Sequence, residues 1–257
     1  MDVLASEWLK LRSVRSTAWI LSVLAAFVLL CGLWSWYIAS YWDGLTPERR
    51  ATIQTAPAEQ PLVLALPICA AVLGALAITA EYATGMIRGS LAAVPRRPAL
   101  FAAKAVLVGG VTLVTGLACM TVAVAAGRLI VGDRAVPSFG APVSEQVPHL
   151  LAMAASAAVI ALVAYGAGAA LRSTAATITA VVVLLMVLPS IANLLPAPWG
   201  ERATSVLLTN LADQIAAAPG SSGEMGTLSP AGAIAMLAAY AVAALAAGAV
   251  TFVRRDS

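Results

Sequence analysis

The two lysines are the first residues to test for chemistry, because a phosphate-binding loop needs one. Such a loop has the pattern Gly-x-x-x-x-Gly-Lys-Ser/Thr, in which backbone N–H groups and the lysine hold the phosphates. Lys10 is followed by Leu11 and Lys104 by Ala105, and neither has the glycines before it. The sequence therefore excludes ATP hydrolysis by this mechanism, and any ATP that drives the protein must be hydrolysed by another chain.

Metal and redox chemistry have equally few candidates. His149 is the only histidine, and it stands beside Pro148 at the edge of an apolar segment. The three cysteines are widely spaced within apolar runs, which is typical of small packing residues and not of a disulfide framework or a zinc site: Cys31, Cys69 and Cys119. We predict no catalytic residue, no metal site and no cofactor bound by this chain.

The composition indicates a membrane protein. Of the 257 residues, 61% are hydrophobic and 11% are charged, and the mean hydropathy is +0.92. Soluble domains carry about 25% charged residues, so lipid must cover much of this surface. A helix of ~20 apolar residues crosses the ~30 Å hydrocarbon core. Six charge-free stretches predict six transmembrane helices, at residues 17–42, 61–80, 105–127, 150–171, 173–195 and 231–253.

The positive residues predict the orientation. If the N-terminus is cytoplasmic, ten of the fifteen lysines and arginines fall in cytoplasmic segments, where such residues concentrate in membrane proteins. We therefore expect a multi-pass protein with both termini in the cytoplasm. The net charge of +3 is interpreted as anchoring charge and not as a nucleic-acid surface, because the basic residues sit at segment ends.

The N-terminal residues 1–16 predict a helix on the membrane surface. Leu4, Trp8 and Leu11 follow the i, i+4, i+7 spacing of one helical face, and basic residues nearby would meet anionic head groups. The residues assigned to this surface helix are Glu7, Trp8, Lys10, Leu11 and Arg12.

A second amphipathic helix is predicted on the outer side of the membrane. Residues 201–217, within the outer loop 196–230, predict a short helix lying on the outer membrane face.

The loop between the second and third predicted spans contains the most informative residues. Glu81 ends an apolar helix, where orientation in the membrane gives no reason for an acid. Ile87, Leu91 and Val94 form a short apolar stripe, which Pro95 ends. This pattern predicts a short helix on the cytoplasmic face, in segment 81–97, on which a partner protein could push.

Two of these segments resemble a known family. The sequence Glu7-Trp8-Leu9-Lys10-Leu11-Arg12-Ser13 is similar to the start of many bacterial ATP-binding-cassette permeases of the export-type second family, the ABC-2-type permeases. The pattern Glu81-Tyr82-x-x-Gly85-x-Ile87-Arg88, followed by Pro95-Arg96-Arg97, resembles a second segment of the same permeases. The six-span layout and the tail Arg254-Arg255 also fit.

The resemblance implies a single transmembrane domain, residues 1–257, in the bacterial cytoplasmic (inner) membrane. Two permeases would pair, as a homodimer or with a related copy, and a separate ATPase subunit would bind ATP and Mg²⁺. That ATPase would dock at the coupling segment 81–97, through the matching residues Glu81, Tyr82, Gly85, Ile87, Arg88, Leu91, Pro95, Arg96 and Arg97. The resemblance identifies no substrate residues.

The fold class expected is therefore an all-α integral membrane protein with an N-terminal interfacial helix and a short coupling helix. We predict a non-enzymatic permease that exports a hydrophobic or amphipathic substrate. The alternatives are an ATP-independent secondary transporter and a non-transporting membrane scaffold. Charged side chains inside the spans usually mark the pathway of a secondary transporter, and the predicted spans lack them. Composition alone does not exclude the scaffold.

Overall fold

The computed structural model of the protein describes residues 3–86, 97–217 and 228–255. In that part of the chain there are ten α-helices and no β-strand, and six of the helices are long and apolar enough to cross a membrane. This confirms the predicted all-α membrane fold. The six spanning helices are α2 (Arg15–Asp43), α4 (Gln60–Thr84), α5 (Arg97–Val131), α6 (Val143–Leu171), α7 (Thr174–Ala192) and α10 (Pro230–Arg255).

Four shorter helices complete the described fold: α1 (Val3–Ser13), α3 (Pro47–Thr52), α8 (Trp199–Val206) and α9 (Leu211–Ala216). Several spanning helices continue beyond the charge-free stretches of the sequence. Helices α4 and α5 extend beyond the predicted spans at both ends. Charged residues that the sequence placed outside the spans, such as Glu81 and Lys104, therefore belong to these helices. The bundle has an N-terminal end, which holds α1, and a far end, which holds α8 and α9.

Helix α6 is the centre of the bundle, and α4, α5 and α10 pack around it. Two glycines allow unusually close contacts with it. A Cβ on Gly74 of α4 would lie 2.0 Å from the carbonyl oxygen of Ala161, and one on Gly166 of α6 would lie 2.2 Å from that of Ala244 in α10. Any other residue at these two positions would force one of the backbones to move. Small residues are generally found where membrane helices approach each other closely.

The fourth and fifth spans are joined by a tight turn. Helix α6 ends at Leu171, and Arg172 adopts the left-handed conformation with φ 54°. Ser173 then caps α7, because its hydroxyl accepts a hydrogen bond from the N–H of Ala176 at 3.3 Å. Helix α7 contains a π-helical turn, Val183–Val187, just before Pro189.

The outer amphipathic segment differs from its prediction. In place of one helix on a membrane surface, residues 201–217 form most of α8 and the whole of α9, with a break between them. Leu208 and Leu211 are buried, and α9 packs against α6 and α10. The prediction was wrong because the apolar side chains contact neighbouring helices, which periodicity cannot distinguish from contact with lipid.

Candidate functional site

Four charged side chains from three helices meet at the N-terminal end of the bundle. They form the ion cluster, which consists of Glu7 and Lys10 of α1, Glu81 of α4 and Lys104 of α5. Lys104 Nζ lies 2.8 Å from Glu7 Oε2 and also donates a hydrogen bond to Glu81 Oε1. Lys10 Nζ lies 2.6 Å from Glu7 Oε1 and 3.7 Å from Glu81 Oε1. Two ammonium groups thus neutralise two carboxylates.

The ion cluster is largely removed from solvent. The exposed fraction is 2% for Glu7, 7% for Glu81 and 7% for Lys104, whereas Lys10 is partly exposed. Transfer of a charge from water into a protein interior costs several kcal/mol, so each buried ion needs an opposite charge beside it. Burial alone would raise the pKa of Glu7, but hydrogen bonds from Lys10 and Lys104 outweigh it and hold that pKa below the usual 4.5.

Local sequence explains why these residues meet. Lys10 follows Glu7 by three residues, which places both on one face of a helix. Helix α4 ends just after Glu81, since Gly85 takes a left-handed conformation with φ 72° and its N–H bonds to the carbonyl of Tyr82 at 3.3 Å. Lys104 is about two turns into α5. The Glu81–Lys104 pair therefore joins the two helices that flank residues 87–96.

Two aromatic contacts attach this end of the bundle to α6. The hydroxyl of Tyr165, which is fully buried, donates a hydrogen bond to the carbonyl of Phe101 in α5 at 3.1 Å. The guanidinium of Arg172, in the turn after α6, lies 5.3 Å from the ring centre of Tyr82, within the range of a cation–π interaction. The ion cluster and these contacts together connect α1, α4, α5 and α6.

The structure describes only part of the predicted coupling segment. Glu81 and Tyr82 lie in the last turn of α4, Gly85 ends that helix, and Arg97 is the first residue of α5. The other predicted coupling residues lie outside the described residues: Ile87, Arg88, Leu91, Pro95 and Arg96.

The predicted surface helix exists as α1, but its residues divide into two groups. Trp8 and Arg12 are exposed and Leu11 is half-buried. Glu7, in contrast, is not a surface residue, because its carboxylate is buried against Lys104. The spacing of apolar residues could not predict that Glu7 is buried, because the side of α1 that faces the bundle carries this acid and not only apolar residues.

Lys104 is the functional residue that sequence reasoning missed. The predicted third span begins at residue 105, just after Lys104, whereas α5 begins at Arg97 and includes it. A signal was present in the sequence: an acid without an orienting role ends one apolar helix, and one of only two lysines begins the next. A buried acid requires a base nearby, so the two could have been paired.

The ion cluster joins three helices at one point, so it can hold them together and pass a displacement between them. In the described part of the chain, no group of three or more His, Cys, Asp or Glu side chains is placed to hold a metal ion. Beside the ion cluster is a cavity of about 190 Å³, lined by Glu7 and Glu81 and by the apolar Ile20, Leu73 and Leu76 among others.

Comparison with protein families gives a match over residues 3–209 to the family described as ABC-2 family transporter protein. The matched range includes α1, all four residues of the ion cluster and five of the six spanning helices. No curated protein matches the chain. Since the match covers about four-fifths of the residues and agrees with the six-helix membrane fold, the chain belongs to the ABC-2 family of transporter proteins.

Proposed function

We propose that this chain is the permease subunit of an ABC exporter whose ATPase is a separate polypeptide. Two permeases pair in a bacterial cytoplasmic membrane, with both termini and the ion cluster on the cytoplasmic side. The ATPase binds ATP and Mg²⁺ and docks on the coupling segment 81–97. The cargo is a hydrophobic or amphipathic molecule that leaves at the far end of the bundle.

The observation that carries this proposal is the position of the ion cluster. Residues 87–96 are flanked on one side by Glu81 and on the other by Lys104, and these two side chains are bonded to each other. A displacement of this connection therefore acts on α4 and α5 together. Glu7 adds α1 to the same unit through its contact with Lys104. Because separating buried opposite charges is costly, the three helices should move as one body.

The central helix offers a route from this body to the rest of the bundle. Helices α4 and α5 both pack on α6, and α4 approaches α6 most closely where Gly74 meets the backbone of Ala161. In the proposed mechanism, ATP closes the two ATPase subunits, which move the coupling segment. The α1–α4–α5 body then shifts α6, and the far end opens to release the cargo.

Co-purification of an ATPase tests this proposal. The full chain would be affinity-purified from its own cells in mild detergent, and Mg²⁺-dependent ATP hydrolysis and a polypeptide with a phosphate-binding loop would be sought in the eluate. We expect Arg88→Glu to abolish both signals, because this change reverses a charge in the coupling segment while leaving the ion cluster intact. Arg49→Glu is the matched control, since it makes the same change at an exposed residue of the far end.

Two outcomes would contradict the proposal. If a correctly folded Arg88→Glu protein retained the ATPase in full, the coupling segment would be wrongly assigned. If the wild-type chain brought down no ATPase, a secondary transporter or a membrane scaffold would be the better explanation. Size-exclusion chromatography of each variant establishes that the protein is folded.

A further inference from the structure

A second cavity lies in the far half of the bundle, away from the ion cluster. It has a volume of about 160 Å³ and is lined by α4, α5, α6 and the π-helical turn of α7, together with Leu208, Thr209 and Ala212 near the far end. Its walls are largely apolar and include three methionines, whose flexible side chains adapt to different guests: Met120, Met153 and Met186. No charged side chain is among the described residues that line it.

One hydroxyl in this cavity has no hydrogen-bond partner. Ser156 is 5% exposed, and its Oγ bonds to nothing in the described part of the chain. Other buried hydroxyls in the spanning helices bond to the carbonyl four residues earlier, as Ser35 does to Cys31 and Thr79 does to Ala75, both at 2.8 Å. A buried polar atom left without a partner is unfavourable and rare in folded proteins.

A second hydroxyl borders the cavity but already has a partner. Thr209 is among the lining residues, and its Oγ1 donates a hydrogen bond to Asn210 Oδ1 at 3.2 Å. Among the described residues that line this largely apolar space, Ser156 is thus the one whose buried side-chain polar atom is left without a partner.

The size of the cavity limits what can enter. An apolar cavity of about 150 Å³ takes one benzene-sized group. A guest must therefore place a single ring or a short length of chain there, while the rest of the molecule extends between the helices. Since no charged side chain of the described residues lines the space, a charged head group would be left without a counter-ion.

We infer that this cavity binds a neutral amphiphile that has a hydroxyl group next to an aliphatic chain or ring. The hydroxyl of the guest forms a hydrogen bond with Ser156 Oγ, and its hydrocarbon part contacts the methionines. This inference rests on the proposed function in one respect, because it identifies the bound amphiphile as the class of cargo that is exported. The binding itself requires neither ATP nor a partner.

Photolabelling with two matched probes tests the inference. Octan-1-ol and octane, each carrying a diazirine on the chain, would be added to the full chain in lipid nanodiscs, and labelled peptides would be mapped by mass spectrometry. Met120 is fully buried and Met153 is partly buried, so label on Met120 reports the cavity and not the lipid-facing surface. We expect the alcohol to label Met120 and Met153 about fivefold more than the alkane, which corresponds to about 1 kcal/mol for one hydrogen bond.

Two pairs of variants distinguish the effect of the hydrogen bond from the effect of the cavity volume. Ser156→Ala should remove the preference for the alcohol, whereas Ser22→Ala, at an exposed serine that bonds its own helix, should leave it unchanged. Ala212→Leu should fill the cavity and lower labelling by both probes, and Ala118→Leu is its control at an exposed residue of α5. Thermal unfolding of each variant verifies that the bundle is intact.

Equal labelling of Met120 and Met153 by alcohol and alkane, or no labelling above background, would overturn the inference. Its failure is distinct from failure of the proposed function. If an ATPase co-purifies but the cavity is not labelled selectively, the permease assignment stands and the cavity is only a packing defect. If the cavity is labelled selectively but no ATPase is found, the binding site stands and its link to export is lost.

Discussion

The two ends of the bundle each contain ion pairs between distant parts of the chain, but the pairs differ in burial. At the far end, the Arg134 guanidinium makes two hydrogen bonds to the Asp43 carboxylate, at 2.9 and 2.8 Å. These side chains are 37% and 54% exposed. At the N-terminal end, the ion cluster joins three helices, and its carboxylates and Lys104 side chain are at most 9% exposed.

This difference shows that geometry alone does not determine the importance of an ion pair. The Asp43–Arg134 pair has the better two-point geometry, yet water can solvate either ion if the other is lost. Water cannot reach the ion cluster in the same way, so removing one member leaves a buried charge uncompensated. We therefore expect the N-terminal end to be sensitive to charge changes and the far end to tolerate them.

The largest effect should follow from Lys104→Met. This change leaves two buried carboxylates with Lys10 as their only partner within the cluster, and breaking a buried pair in this way costs about 3–5 kcal/mol. We expect a correspondingly large drop in the free energy of unfolding, measured by denaturant titration of the detergent-purified chain, together with loss of ATPase co-purification.

A double variant that balances the charges provides the control for this prediction. In Glu7→Gln, Lys104→Met the cluster keeps one carboxylate and one ammonium, those of Glu81 and Lys10, so part of the lost stability should return. If Lys104→Met were as stable as the wild type, the buried ion pairing would be wrong. If the double variant were no more stable than Lys104→Met, Lys104 would act by packing and not by charge.

A smaller loss of stability is expected when the pH is lowered. The folded-state pKa of Glu7 is lowered below 4.5, so its contribution to stability is fully present above that pH and is lost as the pH falls through the lowered value. The melting temperature should therefore be constant from pH 7 to about 5 and then decrease.

Glu7→Gln should weaken this acid-dependent decrease, because glutamine does not titrate. The variant should be less stable than the wild type at pH 7, and the difference between them should become smaller in acid. An equally steep decrease in both proteins would show that other carboxylates are responsible.

The smallest effect should come from Arg134→Ala at the far end. Because the Asp43–Arg134 pair is exposed, its removal should change the melting temperature only slightly, and added salt should reduce the wild-type advantage further by screening the two charges. The comparison variant is Lys104→Met, whose melting temperature should remain below that of the wild type in high salt. A large, salt-independent loss in Arg134→Ala would remove the contrast between the two ends.

The coupling segment shows how far sequence reasoning could reach. Glu81 was noticed because it ends an apolar run where orientation in the membrane gives no reason for an acid, and the family resemblance selected both Glu81 and Gly85. Lys104 was not selected, because a base at the start of a helix already has an explanation as a topology signal. Only the folded helices place the Lys104 ammonium between the carboxylates of Glu7 and Glu81, which are 97 and 23 residues away from it in the sequence.

The sequence by itself determined the membrane environment, the number of spans and the absence of a phosphate-binding loop. These properties depend on composition and local pattern, since a lipid-facing helix must be apolar over about 20 residues wherever it lies in the bundle. The tertiary structure alone decided which helix faces are buried, so it showed Glu7 turned inward and α9 packed against the spans. It also brought Ser156 and three methionines from three helices to one cavity. Sequence reasoning could not foresee this, because contacts between distant segments leave no periodic signal in the chain.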